Sequence, residues 1–181
     1  MKKNIAVIGC GHWGKNLVRN FHEIGALHSI CDPDITLCNS LSEKFEVKAI
    51  TFDEILNIDE IEGIVLAVPA PLHASMAIQA FNKGKHVYVE KPLAMNEIEA
   101  KQMIQSSIKS RKQLMVGHLL QYHPIFIRLK EMVMSNKIGS LKYIYSNRLS
   151  FGKMRSEEDV VWSFAPHDIS MILSLVNEDI E

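Results

Sequence analysis

Short apolar runs alternate with amphipathic stretches through the first two-thirds of the chain. Ile5–Ile8, His28–Cys31, Val47–Ile50, Gly63–Val68 and His86–Val89 are strand-length and mostly bounded by Gly, Pro or Asp, so they read as buried strands. Between them, His12–Ile24, Ile35–Phe45, Asp53–Leu56 and His73–Asn82 carry helical spacing, the third for only about one turn. A further helix, Asn96–Lys109, opens on Asn96 as its cap with Glu97 and Glu99 in the first turn, where acidic groups suit the positive dipole end. Leu114–Val116 closes the series. Regular alternation of this kind predicts an α/β, doubly wound parallel sheet with right-handed crossovers and helices on both faces.

After Gly117 the pattern changes. Pro124 opens a helix to about Ser135, Gly139-Ser140 is a turn, and Leu141–Ser150 alternates as a strand covered on one face would. A polar stretch, Lys153–Asp159, leads to a last helix predicted from Pro166 to about Val176. One strand does not make a stable sheet, so this second region reads as an incomplete α+β unit. The division predicted is 1–119 and 120–181.

Composition narrows the function classes. With 47% apolar and 23% charged residues the chain is ordinary globular protein, and a net charge of −1 offers no broad basic face for nucleic acid. No apolar run is long enough to span a membrane, and Met1-Lys2-Lys3-Asn4 runs straight into the first strand without a signal peptide, so the expected location is the cytoplasm. Cys10, Cys31 and Cys38 show no C-x-x-C pair and no zinc-like spacing with the eight histidines; neither a disulfide nor a metal is expected.

The turn after the first strand carries the chemistry. Gly9-Cys10-Gly11-His12-Trp13-Gly14 is a G-x-G-x-x-G sequence between a strand and a helix, and Asp32 stands at the tip of the next strand. Gly9 permits the tight turn, Gly11 lets the backbone approach a pyrophosphate, and Gly14 lets helix and strand pack closely. The helix N-terminus offers unpaired N–H groups to phosphate. Asp32 can accept hydrogen bonds from both hydroxyls of an adenosine ribose. A 2′-phosphate there would face a like charge, which favours NAD over NADP.

Two more loops fall at carboxyl ends of predicted strands, where open α/β sheets bind ligands. Val68-Pro69-Ala70-Pro71-Leu72-His73 is stiffened by its prolines to lie beside a cofactor; His73 reads either as a ligand contact or as a polar helix-start residue. Glu90-Lys91-Pro92 follows Val87-Tyr88-Val89, with a proline that fixes the local backbone in the cis or trans form. Glu90 can orient the Lys91 ammonium, and a cation there can steady a developing alkoxide.

Together, the Gly9–Gly14 turn, Asp32, the Val68-Pro69…His73 loop and Glu90-Lys91-Pro92 resemble the glucose–fructose oxidoreductase/inositol dehydrogenase (Gfo/Idh/MocA) family. Gly117-His118-Leu119-Leu120-Gln121-Tyr122-His123-Pro124 resembles that family's crossover between domains, and Trp162-Ser163-Phe164-Ala165-Pro166-His167-Asp168-Ile169 its segment with a catalytic histidine. The Pro-His-Asp-Ile-Ser form is most like members acting on nucleotide sugars, including UDP-N-acetylglucosamine 3-dehydrogenases.

The resemblance implies a Rossmann NAD-binding domain over 1–119 and, over 120–181, the first part of a substrate and dimerisation domain that continues further in other members. It also implies a homo-oligomer. The cofactor set it implies is Gly9, Gly11, His12, Trp13, Gly14, Asp32, Pro69, His73, Glu90 and Lys91. Lys91 is the group that positions the reacting hydroxyl and His167 the general base. On the substrate side, Gln121 lies in the crossover, Arg148, Lys153 and Arg155 offer cationic groups to a substrate diphosphate and Trp162 a ring to stack on a sugar or base, the last four reading equally as solvated surface or local packing. Asp168 reads as a substrate or base contact or equally as a cap for the helix at Pro166. Two departures bear on substrate choice: Ser163 stands where many members carry aspartate, and Gln121 lies near where many carry arginine. The expected reaction is NAD-dependent oxidation of a ring hydroxyl of a sugar, such as that of UDP-N-acetylglucosamine, to a ketone. Two alternatives remain open: a non-catalytic NAD-binding module or inactive fragment, and a dehydrogenase of free polyols or inositol.

Overall fold

A computed structural model of the protein describes residues 2–149 and 160–176. Six strands run in chain order as β1 (Ile5–Ile8), β2 (Leu27–Cys31), β3 (Lys48–Ala49), β4 (Gly63–Leu66), β5 (His86–Val89) and β6 (Leu114–Val116). They form one sheet in the order β3-β2-β1-β4-β5-β6, every neighbouring pair parallel. The connecting helices are α1 (Gly14–Glu23), α2 (Ile35–Phe45), α3 (Phe52–Leu56), α4 (His73–Asn82) and α5 (Glu97–Ser110). This is the doubly wound α/β sheet of a Rossmann fold, and the strand order reverses between β1 and β4.

The period-2 alternation of strand side chains divides the core into two layers. Ala6, Ile8, Ile64, Leu66, Val87 and Val89 face Ile55, Leu56, Ala77, Phe81 and Met103 of α3, α4 and α5. Val7, Ile30 and Val65 point the other way, onto Val18 of α1 and Cys38 and Phe45 of α2. Side-chain caps start α2, α3 and α5. The Asp34 carboxylate accepts from the Leu37 N–H (3.0 Å) at α2, and the Asn96 side chain accepts from the Glu99 N–H (2.9 Å) at α5 as expected. At α3, Thr51 and Glu54 form a reciprocal capping box. Short as it is, α3 owes its order to this cap and to the burial of Ile55 and Leu56.

The chain divides into two compact units, Met1–Gly117 and His118–Glu181. In the second, α6 (Pro124–Met134) begins at its proline, which fits the first helical position because no N–H bond is forgone there. Two expectations for this unit are corrected. The predicted strand at 141–150 has no ladder: its described part, 141–149, is irregular and almost wholly exposed. Alternation marks residues able to share a sheet face, but a strand forms only against a partner's N–H and C=O groups, and no described segment offers them. The last helix, α7 (Val160–Val176), starts six residues ahead of Pro166, which lies inside it. The apolar run before the proline continues the helical face, at the loss of one N–H donor.

The glycines of the first turn make the fold's sharpest stability claim. A Cβ on Gly14 would lie within the van der Waals shell of the Gly9 carbonyl oxygen, whereas a Cβ on Gly11 would meet nothing within 4 Å. Gly14→Ala should therefore destabilise the chain by roughly 2 kcal/mol or more in urea titration, through overpacking against backbone. Gly11→Ala should stay within about 0.5 kcal/mol of the native chain. Equal midpoints for the two variants would contradict the close approach.

Candidate functional site

The carboxyl ends of β1, β2, β4 and β5 lie side by side and are stitched together beyond the last sheet residues. The Gly9 N–H donates to the Cys31 carbonyl (2.8 Å), Ala67 N–H to Ile8 (2.8 Å) and Glu90 N–H to Leu66 (2.9 Å). Gly9 has φ +86°, and a Cβ there would sit 2.5 Å from the Ala67 carbonyl oxygen. Glycine is thus required both for the left-handed backbone and for the approach of β4. Gly11, His12 and Trp13 are exposed, so the surface of the turn is open above Gly11 and closed beneath Gly9 and Gly14. An open main-chain surface at a helix start is what a diphosphate needs, and the cradle fits one.

Asp32 follows β2 and reaches back across this turn. Its Oδ2 accepts from the Cys10 N–H (2.6 Å) and its Oδ1 from the Asp34 N–H (2.9 Å). Each carboxylate oxygen has a further lone pair, so capacity remains for sugar hydroxyls. Beside it opens a cleft of about 490 Å³ with Asp32, Pro33, Ile35, Ile50, Thr51, Leu72 and Met76 among its walls. Its acidic groups are Asp32 and Glu54, and the otherwise largely apolar walls suit a flat nucleoside. Leu72 belongs to the proline loop already singled out, whereas Thr51 and Met76 were missed; the Thr51-x-x-Glu54 capping-box spacing is the signal that could have marked the first.

The β4 and β5 loops complete the rim. Pro69 is exposed, the Lys91–Pro92 bond is cis, and Lys91 is partly exposed while Glu90 is buried. The Tyr88 hydroxyl donates to Glu90 Oε1 at 2.8 Å, and a Cβ on Gly117 would come within 2.5 Å of that hydroxyl. This Tyr88–Glu90 pair went unrecognised in the sequence, although i and i+2 positions share a strand face. His73, the first residue of α4, is 1% exposed and has Nδ1 2.8 Å from the Pro92 carbonyl and Nε2 2.9 Å from the Val68 carbonyl.

The second unit holds the remaining candidates. His167 is buried on α7, its ring edge-on to His118 with centroids 6.1 Å apart. His118 was not singled out in the sequence. Gln121 donates to the Ser170 carbonyl (2.6 Å), tying the 3₁₀ turn Leu119–Tyr122 to α7. Asp168 is not a helix cap, since α7 begins well before it. It accepts instead from Arg148 Nε (2.8 Å) and Ser146 Oγ (2.9 Å), and the Arg148 hydrogen bond holds its carboxyl below the usual range. Trp162 is exposed on α7, while Lys153 and Arg155 lie outside the described residues.

No group of three or more His, Cys, Asp or Glu among the described residues could hold a metal ion, and no helix among them is long and apolar enough to cross a membrane. Cys10, Cys31 and Cys38 are free thiols.

The strand order and the glycine turn define a dinucleotide-binding domain of the Rossmann type. Residues 3–118 match the family model GFO_IDH_MocA, described as "Oxidoreductase family, NAD-binding Rossmann fold". The chain belongs to the Gfo/Idh/MocA oxidoreductase family. It is 29% identical over 185 residues to inositol 2-dehydrogenase of Rubrobacter xylanophilus, covering 98% of this chain and 53% of that protein. It is 25% identical over 174 residues to UDP-N-acetylglucosamine 3-dehydrogenase of Acidithiobacillus ferrooxidans, covering 96% of this chain and 54% of that protein. Among solved structures, GenD2 from gentamicin A biosynthesis in complex with NAD superposes with a TM-score of 0.83 at 21% identity, over 97% of this chain and 54% of GenD2. The chain thus spans about half the length of these relatives.

The thiols near Asp32 supply a test of the site's electrostatics. Burial pushes Cys10 up to about 12 and Cys31 up to about 11, with the neighbouring Asp32 and thiols adding to the rise. The folded state therefore holds these protons more tightly than the unfolded state, so above about pH 9 stability should fall as pH rises. At pH 8.5, iodoacetamide should alkylate both thiols at least about tenfold more slowly than in the urea-unfolded chain. Equal rates in the two states would contradict this burial.

Proposed function

We propose that the chain binds NAD along the carboxyl rim of its sheet and serves the oxidation of a secondary ring hydroxyl of a sugar, foremost a nucleotide sugar, to a ketone. The observation that carries this is the turn itself. Open main chain at Gly11 lies between two glycines that admit no side chain, with the Asp32 carboxylate held across it by the Cys10 amide. In this reading the diphosphate lies over Gly11, His12 and Trp13, and the adenosine occupies the Asp32 cleft. The carboxylate accepts from the ribose hydroxyls, and a 2′-phosphate would be repelled, so NAD is preferred to NADP. Pro69, Glu90 and Lys91 line the nicotinamide end.

Oxidation of a secondary alcohol removes a proton from O–H and a hydride from the adjoining C–H. Bound NAD supplies the hydride acceptor. The His167 imidazole, in its neutral form, takes the hydroxyl proton at a ring nitrogen. The Lys91 ammonium holds the hydroxyl and steadies negative charge as it develops on that oxygen. Gln121, Arg148, Arg155, Trp162 and Asp168 belong to the substrate side of this proposal. The relatives support the substrate class, since one is a UDP-N-acetylglucosamine 3-dehydrogenase and another an inositol 2-dehydrogenase.

A second reading, a free cyclic polyol as substrate, has an observation in its favour. Arg148, whose fork could otherwise meet a substrate diphosphate, has its guanidinium engaged by Asp168. A homo-oligomer working in the cytoplasm is consistent with either substrate.

Calorimetry should show NADH binding, with NADPH weaker by at least about tenfold, and Asp32→Ala should narrow that gap. With UDP-N-acetylglucosamine or myo-inositol as substrate, Lys91→Ala and His167→Ala should each cut turnover by about a hundredfold while sparing NADH affinity. Inhibition by UDP selects the nucleotide-sugar reading, and indifference to UDP selects the polyol. Absence of NADH binding would overturn the proposal, and undiminished turnover in either variant would remove that residue from the mechanism.

A further inference from the structure

Two contacts flank Lys91, one local and one distant in sequence. On one side is the Tyr88–Glu90 hydrogen bond; on the other is His73. The His73 ring is 1% exposed, so it presents no face to a ligand. Its two nitrogens lie 2.8 and 2.9 Å from the carbonyl oxygens of Pro92 and Val68. Carbonyl oxygen only accepts, so the ring must donate; either neutral tautomer serves one carbonyl and the doubly protonated ring serves both. The ring thus bridges the backbone on the far side of the cis Lys91–Pro92 bond to the loop that precedes Pro69. Its place as first residue of α4 makes that helix the rigid support of the bridge.

We propose that His73 is a positioning residue: a buried strut that clamps the β4 loop to the Lys91–Pro92 backbone and thereby fixes where the Lys91 ammonium stands. The proposal deepens the reading of Lys91 as the hydroxyl-binding cation and rests on it for its catalytic meaning. Its structural content, that His73 sets the placement of Lys91, is separate and can be read without turnover. Placement matters because misplacing a catalytic group by about 1 Å can cost roughly a hundredfold in rate.

The test uses the whole 181-residue chain and needs no substrate. Trinitrobenzenesulfonate labels lysine amines, and peptide mass spectrometry gives the rate at Lys91 alongside Lys15 and Lys109, which are exposed on α1 and α5. In His73→Ala the Lys91 rate should change at least about fivefold while the two reference lysines hold, because local opening exposes only the freed loop. His73→Gln keeps one amide donor in place of the ring and should fall between; it carries the readout if His73→Ala does not fold. Ile55→Ala, a cavity in the same core layer on α3, should leave the Lys91 rate unchanged, which separates clamping from general loosening. A Lys91 rate unchanged in the folded His73 variant, or equally changed in Ile55→Ala, overturns the proposal. NADH titration of the same proteins keeps the two claims apart. Loss of coenzyme binding already in the native chain would count against the proposed function, while the labelling rates would still decide the role of His73.

Discussion

The whole rim depends on how closely three stretches of backbone approach one another at the end of β1. Gly9 donates to Cys31 while its carbonyl lies against Gly14, and a side chain on Gly9 would run into Ala67 at the end of β4. That approach brings β1, β2, β4 and the start of α1 to one point. It occurs where the strand order reverses, so the helices diverge to opposite faces and leave a crevice. The Asp32 carboxylate closes the structure by accepting from the Cys10 amide within the turn. The proposed coenzyme site and the sheet edge are therefore one construction, and in that proposal a change at Gly14 acts on stability and binding together.

The same economy runs along β4 and β5. Each strand ends in a loop whose candidate residue, Pro69 or Lys91, is exposed or partly so, beside the buried His73 and Glu90. Tyr88 grips Glu90 and His73 grips Pro92, while Gly117 leaves space for the Tyr88 hydroxyl. A lysine between two such grips differs from Lys85, which is buried with its ammonium donating to the carbonyls of Ile58 and Ile61 (2.6 and 2.7 Å). The Lys85 ammonium closes a loop of main chain. Lys91, flanked by these contacts, is only partly buried.

Much of this was legible in the residues because the constraints are local. β1, α2, α4, β5 and β6 fall within the predicted limits, since strand and helix periods with clear turn residues leave few alternatives. The glycine spacing and Asp32 were legible for the same reason. The His73 and Tyr88 contacts were not: Pro92 meets His73 because α4 packs beside β5, a fact of tertiary arrangement. In the second unit the failures have equally physical causes. Pro166 was read as a helix start from a local preference, yet the apolar residues before it carry the helix through. The 141–149 segment alternates like a strand but finds its hold in Ser146 and Arg148 on Asp168.

The central claim, a coenzyme diphosphate cradled by the main chain of the first turn, is tested most directly by amide NMR. On titration of the isotopically labelled chain with NADH to about 1 mM, the resonances of Cys10, Gly11, His12 and Trp13 should shift most, together with those of Asp32 and Asp34. Shifts confined to other parts of the sheet, or none at that concentration, would contradict it.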